Sequence, residues 1–232
     1  MPAPRGDTRA SGRMTPEIRR FTAADLTRYA EGIRAVYAEA FAEPPWDEEP
    51  EQADEYLRRL AADAGRPGFV GVVALAEPTG AVLGFSTAWT TTTPMPTGRS
   101  YDRVAEALGP KRTLAWLCGA LEVDELAVSG AARGTGAAAA LLEAVTADAV
   151  DGRSWLLTST RAEPALRFYA RQDWRRIASA EWPGTVVLLH PRHPAHDADA
   201  PQRQGAERSN QSLFASRPNS GSLGGSAGSS ST

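Results

Sequence analysis

The stretch from Leu126 to Ala138 reads Leu-Ala-Val-Ser-Gly-Ala-Ala-Arg-Gly-Thr-Gly-Ala-Ala, and it decides the fold of this chain. Its first residues end a predicted strand, and its last residues open a helix whose apolar positions 141, 142 and 145 recur at helical spacing. Two closely spaced glycines let the backbone approach a ligand, and the unpaired amides of a first helical turn form an anion site. The stretch therefore predicts a phosphate-binding turn, although the same glycines also suit tight packing of the strand against the helix.

Two other phosphate-binding patterns also place glycines before a helix. The segment 134–139 fits the dinucleotide pattern G-x-G-x-x-G/A, which would indicate an NAD-dependent oxidoreductase. That pattern requires an acidic residue at the end of the next strand, where this chain has Thr158-Ser-Thr-Arg161. A P-loop is excluded because no Gly-Lys-Ser/Thr follows the glycines.

Apolar residues on both sides of the turn alternate between a period of 2 and a period of 3.6. The predicted element order is β-α-α-β-β-β-α-β-α-β-β, which gives an α/β (α+β) fold with a mixed sheet and helices on both faces. The predicted strands are 18–21, 69–76, 81–90, 121–128, 155–158, 174–180 and 185–190, and the turn signal at 77–80 makes 69–76 and 81–90 an antiparallel hairpin. The main helices follow Thr22, which has the spacing of a capping box with Asp25, begin near Glu51, and span 136–149 and 164–171. The connection 91–120 is far longer than a hairpin needs.

The ends of the chain differ in composition from its middle. Residues 1–13 are expected to be a flexible extension, residues 14–190 a single domain, and residues 191–232 a disordered, Ser/Gly-rich low-complexity tail. All three histidines, His190, His193 and His196, fall at this boundary. We expect them to be solvated rather than to bind a metal, so no metal site is predicted and the domain interior lacks a histidine base.

Length and composition exclude several classes of protein. The chain has 232 residues, a net charge of −3, 42% hydrophobic residues and one cysteine. A single cysteine excludes a disulfide scaffold, and no apolar run of about 18 residues is present to span a membrane. The slight acidic balance argues against a nucleic-acid partner. A cytoplasmic location is expected, and the sequence leaves monomer and homodimer open.

Two motifs resemble those of the GNAT superfamily of N-acetyltransferases. Arg133-Gly-Thr-Gly136-Ala-Ala138 is similar to the family's Q/R-x-x-G-x-G/A signature, and it follows a strand that ends Leu-x-Val. Downstream, the segment 165–174 (Ala-Leu-Arg-Phe-Tyr-Ala-Arg-Gln-Asp-Trp) looks like the family's A-x-x-x-Y-x-x-x-G-F segment. Together with the element order, the resemblance covers residues 16–189.

The resemblance implies a fold of six to seven mostly antiparallel strands with a V-shaped split between strands 4 and 5, where acetyl-CoA enters. By this likeness the backbone of strand 4 pairs with the pantetheine arm and the glycine turn holds the pyrophosphate. The cofactor-binding residues implied are Leu126, Ala127, Val128, Arg133, Gly134, Thr135, Gly136, Ala137 and Ala138. The chain departs from the family at Asp173, where glycine is usual, and at Ala162, where many members have an asparagine that contacts the pantetheine.

The implied reaction needs a group that takes a proton from the attacking amine. The candidates are Glu122, Asp124 and Glu125 on the fourth strand, and period-2 alternation predicts Glu122 and Asp124 on one face with Glu125 on the other. Glu122 is favoured because some family members carry their base six residues before the valine of Leu-x-Val, and Glu125 is second. Tyr169 resembles the tyrosine that the family places near the sulfur as general acid, while a core position on a helix face is its alternative.

The acceptor is less well specified than the donor. The region 43–55 carries seven acids and no base, which favours a cationic amine such as a small molecule or a basic peptide terminus, or else a solvated surface. The sequence therefore predicts an acetyl-CoA-dependent N-acetyltransferase. A non-catalytic acyl-CoA-binding regulatory module is the alternative.

Overall fold

Seven strands and five α-helices follow one another in the computed structural model, which describes residues 16–98, 100–182 and 184–198. The elements in chain order are β1 (Glu17–Phe21), α1 (Leu26–Phe41), α2 (Pro50–Asp63), β2 (Val70–Ala76), β3 (Ala81–Thr90), α3 (Tyr101–Arg112), β4 (Leu121–Val128), α4 (Ala137–Thr146), β5 (Ser154–Ser159), α5 (Glu163–Arg171), β6 (Arg175–Trp182) and β7 (Thr185–Leu189). The predicted order of elements is confirmed, with α3 lying in the long connection.

All seven strands form one sheet in the order β1-β2-β3-β4-β5-β7-β6. Neighbouring strands are antiparallel except β4 and β5, which are parallel. This arrangement confirms the predicted mixed, mostly antiparallel sheet, including the β2–β3 hairpin. Among the helices described, none is long and apolar enough to cross a membrane.

Helices α1 and α2 cover one face of the sheet, and α4 and α5 cover the other. The N-terminus before α1 has the predicted capping box, in which the backbone N–H of Thr22 donates to Asp25 at 3.0 Å. Aromatic residues of α1 and α2 pack on Phe85 and Ala127 of the sheet, whereas α4 packs on Val123 and Leu156 from the opposite side. The β4 residues at 123 and 127 therefore point to opposite faces.

The long connection between β3 and β4 covers the second half of the α1–α2 face. Tyr101 and Val104 of α3 pack in one cluster with Trp155 of β5 and Leu189 of β7. Trp155 is the register partner of Glu122 in the parallel β4–β5 pair, so the two side chains share a face. Helix α3 is thus the neighbour of α2 across the middle of the sheet.

The folded region extends past the predicted boundary at His190, so that part of the domain prediction is wrong. Ala195 is buried in the α3 cluster, and His193 is only 3% exposed. The backbone N–H of Ala195 donates to His193 Nδ1 at 3.0 Å, which leaves Nε2–H to donate to the carbonyl of Trp116 at 2.9 Å. The expectation of solvated histidines is also wrong for His190 and His193. The predicted extension 1–13 and the tail from 199 onward lie outside the described residues.

We predict that a chain ending at residue 190 is less stable than one ending at residue 198. The shorter chain loses the burial of Ala195 and leaves the Trp116 carbonyl without its imidazole donor, a cost of about 1–3 kcal/mol. Its melting temperature should fall by roughly 3–10 °C relative to the chain ending at residue 198. Thermal denaturation followed by circular dichroism measures the difference, and equal melting temperatures would show that the segment contributes nothing.

Candidate active site

Strands β4 and β5 pair over only three residues and then diverge. Leu121, Glu122 and Val123 are matched with Ser154, Trp155 and Leu156, and no pairing follows. Beyond that point β4 stays with β3 as far as Val128, and β5 stays with β7 as far as Ser159. The edges of 124–128 and 157–159 that face each other are therefore unpaired strand edges. The V-shaped split predicted between the fourth and fifth strands is confirmed.

A cleft of about 460 Å³ occupies this split. Its walls include Leu126, Ala127 and Val128 from β4, which are the predicted pantetheine-binding residues. Arg133 from the glycine turn and Tyr169 from α5 also line it. The cleft thus brings together one wall of unpaired backbone, one cationic side chain and one phenol.

The glycine turn at the end of the cleft has the left-handed backbone that glycine permits. Gly134 has φ 74° and Gly136 has φ 95°, and α4 begins at the next residue. A Cβ added at either glycine would meet no atom within 4 Å. The alternative that these glycines serve close packing of strand against helix is therefore wrong, because the space outside them is open.

Only part of the predicted amide set is available to a ligand. The amides of Arg133 and Thr135 donate within the turn to Gly130 and Ala132, at 3.2 and 3.3 Å. The Ala137 amide lies 3.3 Å from the hydroxyl of Thr135. In the described part of the chain, the amides at 134, 136 and 138 make no hydrogen bond. The alternate amides, rather than the whole predicted run, are thus the ones left available to a ligand.

Two acidic residues at the C-terminal end of α1 contact this turn. Glu39 Oε1 accepts a hydrogen bond of 2.7 Å from the backbone N–H of Gly130, and Glu43 Oε2 lies 3.1 Å from Nη1 of Arg133. The side chains of Arg133 and Glu43 are both substantially exposed, so this ion pair is weak and easily exchanged. An incoming phosphate would compete with Glu43 for the guanidinium.

A β-bulge in β4 overturns the predicted distribution of the carboxylates. Glu125 pairs with Thr87 and Glu122 pairs with Trp89, two residues apart on β3, so both glutamates lie on the α1–α2 face. The interval from Glu122 to Glu125 on β4 is three residues, whereas the matching interval on β3 is two, so Asp124 is the extra residue of the bulge. The prediction that Glu125 faces away from Glu122 is wrong because simple alternation takes no account of a bulge.

Glu122 is a buried carboxylate held by two neutral donors. It is 6% exposed, and its Oε2 accepts hydrogen bonds from the Tyr101 hydroxyl at 2.8 Å and from Trp89 Nε1 at 3.2 Å. Burial and the nearby charge of Glu122 raise the pKa of Tyr101 to about 12. The phenol therefore stays protonated and keeps donating to the carboxylate.

Glu122 borders a second, smaller pocket of about 230 Å³, which we call the side pocket. Arg59 of α2, Tyr101 of α3, and Asp124 and Leu157 of the diverging strands complete its walls. Asp124 and Leu157 also line the main cleft, so the two spaces adjoin where the strands separate. Sequence reasoning missed Arg59 and Tyr101. The unusual length of the connection 91–120 was a signal for Tyr101 alone, and Arg59 of α2 had none.

Tyr169 and Glu125 meet in the main cleft. Tyr169 is 8% exposed and packs in the core, as its alternative interpretation predicted, and it also lines the cleft. Burial, followed by the negative charge of Glu125, raises the pKa of the phenol well above its usual value. The phenol of Tyr169 is therefore protonated at neutral pH. Glu125 Oε1 lies 3.4 Å from Nη2 of Arg59.

Several acids of the run 43–55 have partners inside the protein. Besides the Glu43–Arg133 pair, Glu49 caps α2 and Asp54 accepts a hydrogen bond of 2.9 Å from Arg34. Glu43, Glu48 and Trp46 line the cleft, and Trp46 packs edge-on against a ring of α1. Three of the seven acids of this run thus have partners within the protein. Among the residues described, no group of three or more potential ligands is placed to hold a metal ion.

The similarity of this chain to known proteins agrees with this geometry. Residues 33–174 match the sequence model of the acetyltransferase (GNAT) family. The crystal structure of a histone acetyltransferase HPA2 and related acetyltransferase from Corynebacterium glutamicum is similar, with 21% identity over 77% of this chain and 97% of that chain and a TM-score of 0.50. PH1933 from Pyrococcus horikoshii is similar over 75% of this chain and 98% of that chain, with 14% identity and a TM-score of 0.52. These two likenesses concern the fold, and a comparison with curated protein sequences gave no significant match.

We predict that Tyr101 and Glu122 are energetically coupled. Tyr101→Phe removes a donor from a buried carboxylate, and a double-mutant cycle with Glu122→Gln should give a coupling of about 1.5–3 kcal/mol in the free energy of unfolding. Urea denaturation measures each variant. The cycle of Tyr101→Phe with Glu125→Gln is the control and should be additive, and a coupling near zero in the first cycle would contradict the hydrogen bond.

Proposed function

The chain belongs to the acetyltransferase (GNAT) family, whose model matches residues 33–174, and we propose that it transfers the acetyl group of acetyl-CoA to a primary amine. One observation carries this proposal: the split between β4 and β5 is open, and it places Tyr169 and Glu125 in the same cleft as the glycine turn. The protein is an acyltransferase with acetyl-CoA as its co-substrate. The acceptor and the roles of individual residues are proposed below.

The geometry of the split suits the donor in two ways. The unpaired edge from Leu126 to Val128 offers backbone groups that an extended amide-containing arm satisfies as an added strand would. At its end, the amides of Gly134, Gly136 and Ala138, together with the Arg133 guanidinium, suit a diphosphate. Open space outside both glycines leaves room for that group.

Glu125 is the carboxylate that we propose as general base. It lines the cleft together with Tyr169, whereas Glu122 faces the side pocket and is already bonded to Tyr101 and Trp89. In the proposed step Glu125 takes a proton from the bound ammonium, directly or through a water molecule, and the freed lone pair attacks the thioester carbon. Glu122, favoured from the sequence, remains the second candidate.

Tyr169 is proposed as the group that protonates the leaving thiolate. When the C–S bond breaks and the new C–N bond remains, the sulfur carries the electron pair and needs a proton. The raised pKa of Tyr169 means that the phenol holds its proton until the thiolate forms beside it. Positioning in the cleft therefore decides how effective this donor is.

The acceptor class is a primary amine, either a small molecule or the amine of a peptide. A cationic acceptor is favoured by the acids of the region 43–55, of which Glu43 and Glu48 line the cleft. Other acids of that region have protein partners, so the run by itself does not favour a polycation. The residues that border the reaction point are those of β4 and the side pocket.

We predict that the charge of Arg133 governs donor affinity. Arg133→Gln should weaken the binding of CoA about 10- to 100-fold, because a charge-assisted hydrogen bond to phosphate is lost. Glu43→Gln should strengthen binding slightly, up to about fivefold, because the competing ion pair is exposed and weak. Isothermal titration with CoA measures both, and Arg167→Gln on α5 is the matched control. Unchanged affinity in Arg133→Gln would contradict this location of the diphosphate, and binding of NAD instead of CoA would contradict the donor itself.

We predict that Glu125→Gln and Tyr169→Phe lower kcat by about 10²- to 10⁴-fold while the affinity for CoA stays within about twofold. Loss of proton transfer, without loss of donor contacts, is the reason for this separation. Thiol release from acetyl-CoA with a panel of amines measures turnover, and Glu122→Gln tests the second carboxylate in parallel. A larger loss in Glu122→Gln than in Glu125→Gln would reassign the base, and CoA binding without turnover on any amine would indicate a non-catalytic binding module.

A further inference from the structure

Glu48, in the wall of the main cleft, has a buried carboxylate oxygen that the protein does not satisfy. Its side chain lines the cleft, and its Oε2 atom is buried with no hydrogen-bond partner among the residues that the structure describes. Glu43, the other acid of the run 43–55 in this wall, is instead paired with Arg133. A carboxylate oxygen withdrawn from water without a donor is costly, so a ligand that brings a positively charged N–H group to Glu48 is favoured.

The backbone at Glu48 is fixed by the two helices that flank it. Its N–H donates to the carbonyl of Phe41, the last residue of α1, at 2.9 Å. The next residue, Glu49, begins the capping box of α2, in which its N–H donates to Gln52 Oε1 at 2.8 Å. The carboxylate is therefore held at a defined place although it belongs to a loop. The last torsion of a glutamate side chain is broad, so a small rotation brings either oxygen toward the cleft.

Tyr37 connects Glu48 with the part of the cleft where the reaction is proposed. Its ring is 4% exposed and stacks on Tyr56, with ring centroids 4.4 Å apart. Burial, then the negative charge of Glu125 and a hydrogen bond with Glu48, raise the pKa of the Tyr37 phenol well above its usual value. The phenol therefore stays protonated, and both carboxylates are close enough to influence it. An ammonium held by Glu48 would thus lie on the same side of the cleft as Glu125.

The neighbours of Glu48 in this wall are apolar. Trp46 is 37% exposed and packs edge-on against Phe41, with ring centroids 5.3 Å apart. Both rings line the cleft together with Pro44. A hydrocarbon group is favoured beside these rings, which also attract a nearby ammonium through cation–π interaction. A carboxylate attached next to that ammonium would be repelled by Glu48 at close range.

We propose that Glu48 binds the ammonium group of the acceptor, and that the acceptor is a primary amine whose amine-bearing chain is apolar and carries no carboxylate. This inference rests on the proposed acetyl transfer and names the substrate class of the same site. Glu48 is the residue that determines specificity for the amine, and Trp46 covers the hydrocarbon part of the acceptor. Glu48 holds the ammonium in place, and the proton is removed by the base proposed above.

Three probes that share one phenethyl group test this assignment by binding alone. They are phenethylamine, its neutral counterpart 2-phenylethanol, and phenylalanine, which adds a carboxylate to the same amine. Isothermal titration of the full chain in the presence of CoA should show phenethylamine binding about 10-fold or more tighter than the other two. Glu48→Gln should weaken phenethylamine binding about 10- to 100-fold, to near that of 2-phenylethanol, because a charge-assisted hydrogen bond is lost. Glu55→Gln, an exposed acid of the same run outside the cleft, is the matched control and should keep the wild-type order.

Thiol release from acetyl-CoA separates binding from chemistry. In Glu48→Gln the KM for phenethylamine should rise by the same factor as the dissociation constant, while kcat stays within about threefold and the affinity for CoA within about twofold. Trp46→Ala should raise the KM for phenethylamine about 5- to 20-fold but change that for methylamine by less than about twofold, because only the contact with the hydrocarbon is lost. A purely structural role of either residue would not give this separation.

The outcomes distinguish this inference from the proposed function. Equal binding of phenethylamine and 2-phenylethanol by the wild type, or an unchanged preference in Glu48→Gln, would overturn the assignment of Glu48. Tighter binding of phenylalanine than of phenethylamine would overturn the acceptor class. Each of these results leaves acetyl transfer standing where another amine is acetylated. CoA binding without transfer to any amine would instead overturn the proposed function, whatever the order in which the three probes bind.

Discussion

The short parallel pairing of β4 with β5 is the constraint on which the site depends. Each strand keeps its outer neighbour, β3 or β7, while the two inner edges separate after Val123 and Leu156. Unpaired backbone groups in the interior of a sheet are costly unless something satisfies them. The split is therefore both the cause of the cleft and a reason for it to be filled by an extended ligand with amide groups of its own.

The bulge at Asp124 determines which side chains of β4 lie beside the gap, and on which face of the sheet. Without the extra residue, Glu125 would point to the α4 face and be separated from Glu122 by the sheet. With it, both carboxylates face α2 and α3, while the glycine turn leads to α4 on the other side. The candidate site consequently spans the sheet through the gap, with the glycine turn on one face and the carboxylates on the other.

Local patterns allowed the sequence to predict the element order, the capping box at Thr22 and the glycine turn, because each is determined by residues within a few positions. Features set by distant partners were not predictable in this way. The bulge depends on the register with β3, the burial of His193 depends on the carbonyl of Trp116, and the side pocket combines Arg59 with Tyr101, which belong to different helices. The roles assigned to Tyr169, Glu122 and Glu125 remain predictions.

Charge illustrates the same difference between sequence and structure. The run 43–55 is strongly acidic by composition, but Glu43, Glu49 and Asp54 are occupied by Arg133, the first turn of α2 and Arg34. A carboxylate that is already paired with a cation or with a helix N-terminus contributes little to the electrostatic potential of a nearby cleft. Of the seven acids in this run, Glu43 and Glu48 line the main cleft. The acidic composition of the loop therefore overstates the charge that the cleft itself presents, because composition counts every carboxylate alike whether or not it has a partner.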